Sequence, residues 1–310
     1  MAKRARRRPP KKNKNSFFAT LSAIIVATFL FVLVTGAIKW VNGKLTAEGE
    51  DLSEETEALQ KLEGSNTPVG ENTSPVVYTI ALMADSEDDI SSLQKALEIA
   101  TQRSVNMIFF LGDYTSWGDI SSLEKSKLAM ESTGISYLSI PGDHDLADSV
   151  QKGDPSGLNN FKMVFGGNYH TLEFGGVKMV LLDNSPNYSK IPGEAMSWFY
   201  DQITDADLVF LSQPLYHPTF KRTMGVVDGE ETPEVKSQAD ELLTKIREGN
   251  VKAIISADQH LFSRNVDPVD PGLEHIVIGA LNSERNLQTP KFCLLRLLED
   301  GSYEIEEVVL

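Results

Sequence analysis

The chain has 310 residues, 41% of them apolar, enough to bury the core of one large domain or two modest ones. Its formal charge is −15, and leaving out eight lysines and arginines between Lys3 and Lys14, a stretch with no acid in it, takes the remainder to −23. A body this acidic excludes nucleic-acid binding as the function of the main domain.

The basic residues 1–16 directly precede Phe17 to Ile38, an uncharged run of 22 residues. As a helix rising about 1.5 Å per residue, such a run crosses a hydrocarbon core of roughly 30 Å. Residues 17–39 are therefore expected to form a transmembrane anchor, with the basic tail cytoplasmic, Trp40 at the outer interface and everything beyond it extracytoplasmic. A cleaved signal peptide is the alternative, although its apolar stretch is usually shorter, about 7–15 residues. A buried core helix is less compatible with a run that has no polar face. Residues 40–75 are acidic and polar, with Glu48, Glu50, Asp51, Glu54, Glu55 and Glu57, and read as a flexible stalk.

From Val76 to Leu310, β-rich runs alternate with helical patterns. Strands are expected over Val76 to Met83, Val105 to Leu111 and Ile135 to Ile140, with helices over Ile90 to Gln102 and Ile120 to Ser132 between them. Tyr169 to Phe174 and Val177 to Leu182 flank Gly175-Gly176, the pattern of a hairpin. A helix near Glu194 to Ile203 precedes strands at Leu208 to Leu211, Val251 to Ser256 and His275 to Ile278. Phe292 to Leu297 and Tyr303 to Val309 pair across Glu299-Asp300-Gly301. The expected fold class is α/β: two packed mixed β-sheets flanked by helices, preceded by one transmembrane helix. Cys293, the single cysteine, lies in a strand-like segment and reads as a small buried apolar side chain.

Chemistry gathers just past the strands. The first strand leads to Asp85 and Glu87, the second to Asp113, the third to Asp143, His144 and Asp145. The Leu208 strand leads to His217, and the Val251 strand to Asp258 and His260. In open α/β sheets the functional crevice lies beyond the carboxyl ends of the strands. So many carboxylates could not stay ionised together without cations, and bound metal is the natural reading.

In these blocks the chain resembles the calcineurin-like metallophosphoesterase superfamily, over most of Val76 to Leu310. The family's ordered blocks are Asp-x-His, Gly-Asp, Gly-Asn-His-Asp/Glu, a lone His and Gly-His-x-His. Here they read Asp85-Ser86-Glu87, Gly112-Asp113, Gly142-Asp143-His144-Asp145, His217, and Ala257-Asp258-Gln259-His260. Asn168 to Asn184, Met196 to Phe199 and Tyr216-His217-Pro218 also look like the family. The resemblance implies a metallophosphoesterase sandwich with two metal ions: Asp85, Asp113 and His260 on the first, Asp113 bridging, His217 on the second. It implies that a metal-bridging hydroxide attacks phosphorus in line. His144 would protonate the leaving oxygen or stabilise the pentavalent state, with Asp145 orienting its imidazole.

Three positions depart from the family, all towards carboxylate: Glu87 and Asp258 replace histidines, and Asp143 replaces the asparagine. All three can still ligate through oxygen. Five carboxylates against two divalent ions would leave the inner site near −1. An oxygen-rich shell favours manganese, iron, magnesium or calcium over zinc. A more negative site favours phosphodiesters over dianionic monoesters, since one extra carboxylate ~5 Å from a phosphate charge costs at most roughly 3 kcal/mol at an effective dielectric of ~20.

His170 and His275 fit no ligand position and read as ordinary strand residues. Arg264 reads as a surface salt bridge or a substrate contact, and Tyr114 and Trp117, which follow Asp113, as core packing or else as a wall of the pocket. The sequence thus points to a membrane-anchored hydrolase of a phosphate ester, with Ala147 to Gly157 and Phe220 to Glu231 as the loops that set specificity. Its rivals are an inactive domain of the same fold that binds a cation or a partner at the cell surface, and an interaction protein with no working site.

Overall fold

The computed structural model describes residues 74–227 and 229–310. The basic tail, the expected span and the stalk up to residue 73 lie outside them. No helix among the described residues is long and apolar enough to cross a membrane.

In chain order the elements are β1 (Val76–Met83), α1 (Ile90–Gln102), β2 (Met107–Phe110), α2 (Ile120–Glu131), β3 (Ser136–Ser139), a 3-10 turn (His144–Leu146), α3 (Ala147–Gln151) and α4 (Asn159–Phe165). They continue with β4 (Tyr169–Phe174), β5 (Val177–Leu182), α5 (Gly193–Ile203), β6 (Leu208–Leu211), β7 (Val226–Val227), β8 (Glu230–Glu231), α6 (Pro233–Arg247), β9 (Ala253–Ser256), β10 (Ser263–Val266), β11 (Glu274–Val277), β12 (Lys291–Leu298) and β13 (Tyr303–Val309).

Two mixed sheets result. One has the order β13-β12-β1-β2-β3, the other β10-β11-β9-β6-β5-β4. The β1-β2-β3 and β5-β6-β9-β11 runs are parallel, and the hairpin strands close the edges antiparallel. Strand period explains the layering, because alternate side chains face opposite sides. Ile80 and Leu82 join Met179, Leu181, Phe210 and Ile255 in the core between the sheets. Ala81 and Met83 face the other way, packing with Leu93, Leu97 and Leu123 of α1 and α2. Val180, Leu182 and Val209 pack with Phe199 of α5 and with Leu242 and Ile246 of α6. The fold is a four-layer α/β/β/α sandwich.

Local chemistry sets the element ends. Asp89 caps α1 by accepting from Ser92 N at 3.0 Å, and Asp119 caps α2 by accepting from Ser122 N at 3.2 Å. Gly175 and Gly176, with φ of 59° and 76°, supply the left-handed pair that a tight β4-β5 hairpin requires. The expected elements stand, mostly within two residues. The structure adds α3, α4, α6, β10 and the small β7-β8 ladder, so Phe220 to Glu231 is a partly structured loop rather than an open one.

Candidate metal centre

The parallel strands β1, β2, β6 and β9 all end on the same side, and their following turns carry Asp85, Glu87, Asp113, His217, Asp258 and His260. Asp85, Glu87, Asp113, Asp258 and His260 hold positive φ between 42° and 71°. Left-handed backbone costs a non-glycine residue about 1–2 kcal/mol, so its clustering here marks a strained and functional edge. Backbone hydrogen bonds lock the turns together. Asp85 N donates to Gly112 O at 3.0 Å, Glu87 N to Asp113 O at 3.0 Å, and Asn282 N to Asp85 O at 2.9 Å.

Gly112 and Gly142 allow the β2 and β3 ends to touch. A Cβ on Gly142 would lie 2.1 Å from Asp113 Oδ1. Asp145 then ties the two ends together. Its carboxylate accepts from Tyr114 N (3.2 Å), Thr115 N (3.0 Å), Thr115 Oγ1 (2.9 Å) and Gly142 N (3.1 Å). All these contacts are to loop donors, so Asp145 positions Asp113 and Asp143. The expected orienting contact with His144 falls instead to Ser116 O, 3.1 Å from His144 Nδ1. With Nδ1 donating to Ser116 O, Nε2 is the ring nitrogen left towards the centre, 3.8 Å from Glu87 Oε1.

Two groups of donors converge. Ligand atoms of Glu87, Asp113 and His144 lie within 4.8 Å of one another, and so do those of Asp113, Asp143 and Asp258. Around the first group, His260 Nε2 is 3.4 Å from Glu87 Oε1 and 3.9 Å from Asp85 Oδ1. Asp85 Oδ2 and Glu87 Oε1 are buried without a hydrogen-bond partner among the described residues. Burial pushes the Asp85 and Asp113 carboxyls well above the ordinary carboxylate range. Asp258 and Glu87 reinforce the shift at Asp85, and Asp143 and Asp145 at Asp113. Burial also raises Asp145, to about 6.

The sequence profile of the calcineurin-like phosphoesterases matches residues 78–262, more than half of the chain. The chain belongs to that family. Its members are hydrolases acting on phosphoester bonds, with dinuclear metal centres. Among solved structures, a dimetal phosphatase from Danio rerio is similar at 14% identity and a TM-score of 0.53, with 76% of this chain and 99% of that chain covered. The purple acid phosphatase PPD1 from yellow lupin (Lupinus luteus) seeds is similar at 12% identity and a TM-score of 0.57, with 76% of this chain and 52% of that chain covered. These two likenesses support the fold. No curated protein matches the chain.

A phosphoesterase metal fits the first group. Donors on one ion, each about 2.0–2.2 Å from it, stand roughly 3–4 Å apart, and Glu87 Oε1 and Asp85 Oδ1 lie 3.4 and 3.9 Å from His260 Nε2. His260 Nδ1 pairs with the backbone oxygen of Arg285, which holds the proton there and leaves Nε2 free to ligate.

The second group fits a metal poorly. Arg222 Nε and Nη2 bond both oxygens of Asp258, at 2.7 and 2.9 Å, and Nη2 lies 3.4 Å from Asp143 Oδ2. His217 Nδ1 accepts from Thr219 N at 3.2 Å and Phe220 N at 2.8 Å. The imidazole proton must then sit on Nε2, the wrong tautomer for a ligand, and burial lowers the His217 pKa to about 4. His217 Nε2 and Asp143 Oδ1 are buried without hydrogen-bond partners among the described residues. Two-ion binding through His217 and Asp258 is thus an expectation these contacts do not support.

Arg222 and Arg285 are the functional residues that sequence reasoning missed. Arg285 Nη1 meets Glu87 Oε2 at 2.9 Å, beside Asn282 Nδ2 at 3.0 Å. Asn187, itself held by Gln213, donates to Asp143. All three departures towards carboxylate therefore have a basic or amide partner, and the charge count based on two metals alone is corrected. Excess acid at Glu87, Asp143 and Asp258 was the one available signal that such partners exist.

The remaining candidates fall outside the centre. Arg264 forms a bidentate pair with Glu274, His275 is buried against Asp267 at 2.8 Å, and His170 bonds Ser139 O. Tyr114 stacks on Phe110 in the core, but Trp117 is 48% exposed and does not pack there as expected. It follows Ser116, the residue that holds His144.

Protons and metal compete for the same buried oxygens. The metal-free chain keeps protons on Asp85 and Asp113 above the usual carboxylate range, and an incoming cation must expel them. Divalent-metal affinity is expected to keep rising with pH above the ordinary carboxylate range, with proton release. Calorimetry in two buffers of different ionisation enthalpy checks this, and an affinity flat above that range contradicts it.

Proposed function

We propose that the protein is a membrane-anchored, metal-dependent phosphodiesterase acting at the extracytoplasmic face. The observation that carries the activity is the pair of buried acceptors on Asp85 and Glu87, with Asp113 within reach of Glu87, beside a His260 Nε2 freed for ligation. A metal ion held by Asp85, Glu87, Asp113 and His260 would supply a nucleophile at neutral pH and neutralise a phosphate oxygen. The oxygen-rich donor set suits manganese, magnesium, calcium or iron better than zinc.

The chain's own residues divide the rest. His144, its Nδ1–H on Ser116 O, presents Nε2 beside Glu87, where a proton can be held and passed to a leaving oxygen. Arg285 is 56% exposed at its side chain and anchored by one nitrogen, so its other donors can reach a phosphate oxygen. Five carboxylates outweigh two guanidiniums and one divalent ion by about one charge, which favours a monoanionic diester over a dianionic monoester. The location rests on the Lys3 to Lys14 cluster preceding the Phe17 to Ile38 run.

Intact cells expressing the full chain, supplied with manganese and a membrane-impermeant aryl phosphodiester, test both parts. They are expected to hydrolyse the diester faster than the matching monoester. Activity only after lysis would overturn the location, and a monoester preference would overturn the substrate class. The pairing of Arg222 with Asp258 favours one other reading, an inactive crevice neutralised by arginine, which predicts no hydrolysis of either ester.

A further inference from the structure

We propose that the guanidinium of Arg222 stands where the family places its second metal ion, so that the working centre holds one metal ion and one built-in cation. The inference rests on the first group binding metal, as proposed above.

Arg222 sits among the second group's own donors. It takes both oxygens of Asp258 and approaches Asp143, and these two residues, with Asp113, make up that group. In the family pattern these positions carry a histidine and an asparagine, both neutral. Here both are acids, and both oxygens of one of them, Asp258, accept from Arg222, as suits a guanidinium that can only donate. Neutral imidazole and amide groups suit a metal with +2 charge, whereas a guanidinium gains most from carboxylates that match its planar fork. The histidine left at the second position, His217, is held with its proton on Nε2 by two backbone N–H donors, and so offers no lone pair to a metal there.

The placement of Arg222 is built. Its backbone oxygen accepts from Gln259 Nε2, which ties it to the turn bearing Asp258 and His260. Gly225, at φ 79°, lets the loop press onto the start of α6, where a Cβ would come within 2.4 Å of Lys236 N. The Arg222 side chain is 25% exposed, and Nη1 makes no hydrogen bond among the described residues. That amino group can donate to a phosphate oxygen while Nε and Nη2 stay on Asp258. A fixed cation of this kind offers a phosphoryl oxygen a preorganised charge that cannot dissociate or exchange.

The test counts metal in the full-length chain by elemental mass spectrometry, after equilibration with excess manganese and removal of free ion. Near one ion per chain is expected for the wild type. Two ions would overturn the role of Arg222 and leave metal-dependent hydrolysis intact. None would overturn the hydrolase reading and this inference with it.

Arg222→Met keeps the length and removes the charge, leaving Asp143 and Asp258 to recruit a second ion. It is expected to bind near two, with a spin-coupled manganese signal in place of an isolated one. A folded Arg222→Met chain that stays at one ion overturns the proposal. If the stranded Asp258 carboxylate prevents folding, Arg222→Met with Asp258→His removes it and serves the same count, two ions supporting and one overturning. Arg222→Lys keeps a cation and is expected to stay near one, so a second ion bound there also overturns it.

Discussion

Asp113→Asn is expected to abolish metal binding and lower kcat on the order of 10³-fold. Asp113 alone belongs to both groups of donors, and its Oδ1 also accepts from His144 N at 2.9 Å. One substitution therefore weakens the metal and the placement of His144, the proposed proton donor, together. Stability is expected to move the other way. Burial and the neighbouring Asp143, Asp145 and Asp85 all disfavour a charge on Asp113, so a neutral amide relieves the metal-free fold. The metal-free variant should melt no lower than the metal-free wild type. Metal content, kcat and melting temperature measured on one preparation separate this from simple damage. Retained metal, or a melt lowered along with activity, would sink the assignment.

The strands were legible because burial on both faces, or on one, writes itself into the sequence. Val177 to Leu182 is nearly continuous apolar sequence, and the strand lies inside the six-stranded sheet with helices over it. That the candidate site residues share one edge was legible because parallel strands deliver their following turns there. α6 was missed although Val235, Ala239, Leu242, Leu243 and Ile246 repeat at helical spacing behind Pro233 at its N-terminus. The many polar residues between these anchors belong to the solvent face of the helix, and they hid its periodicity.

The arginines were not legible in that way. Arg222 reaches Asp258 across 36 positions and Arg285 reaches Glu87 across 198, both from loops with no repeat to read. Asp145 was misassigned for a related reason. A carboxylate beside a histidine in sequence need not face its ring, and four loop donors compete for this one. What survives from sequence to structure is which residues share an edge, and what does not is which of them pair.

Gly142→Ala tests whether that edge depends on the close approach of its turns. The added Cβ would lie 2.1 Å from Asp113 Oδ1 and 2.4 Å from Asp113 N. The second of these is backbone, and Gly112 offers no relief, since a Cβ there would meet Gly142 Cα at 2.8 Å. The β2 and β3 ends must move apart, which stretches the hydrogen bonds that Asp145 makes to Tyr114, Thr115 and Gly142. Overpacking of this kind costs about 1–3 kcal/mol. The larger effect falls on function, because a displacement near 1 Å in a preorganised site lowers the rate on the order of 10²-fold. Gly193→Ala serves as the control: nothing lies within 4 Å of its Cβ, so it should change neither stability nor turnover. Metal affinity read beside kcat shows where the damage falls. Loss of both in Gly142→Ala, with the fold retained at lower melting temperature, is the expected result. Unchanged turnover would mean that Asp113 and Asp143 are not held in working position by this contact.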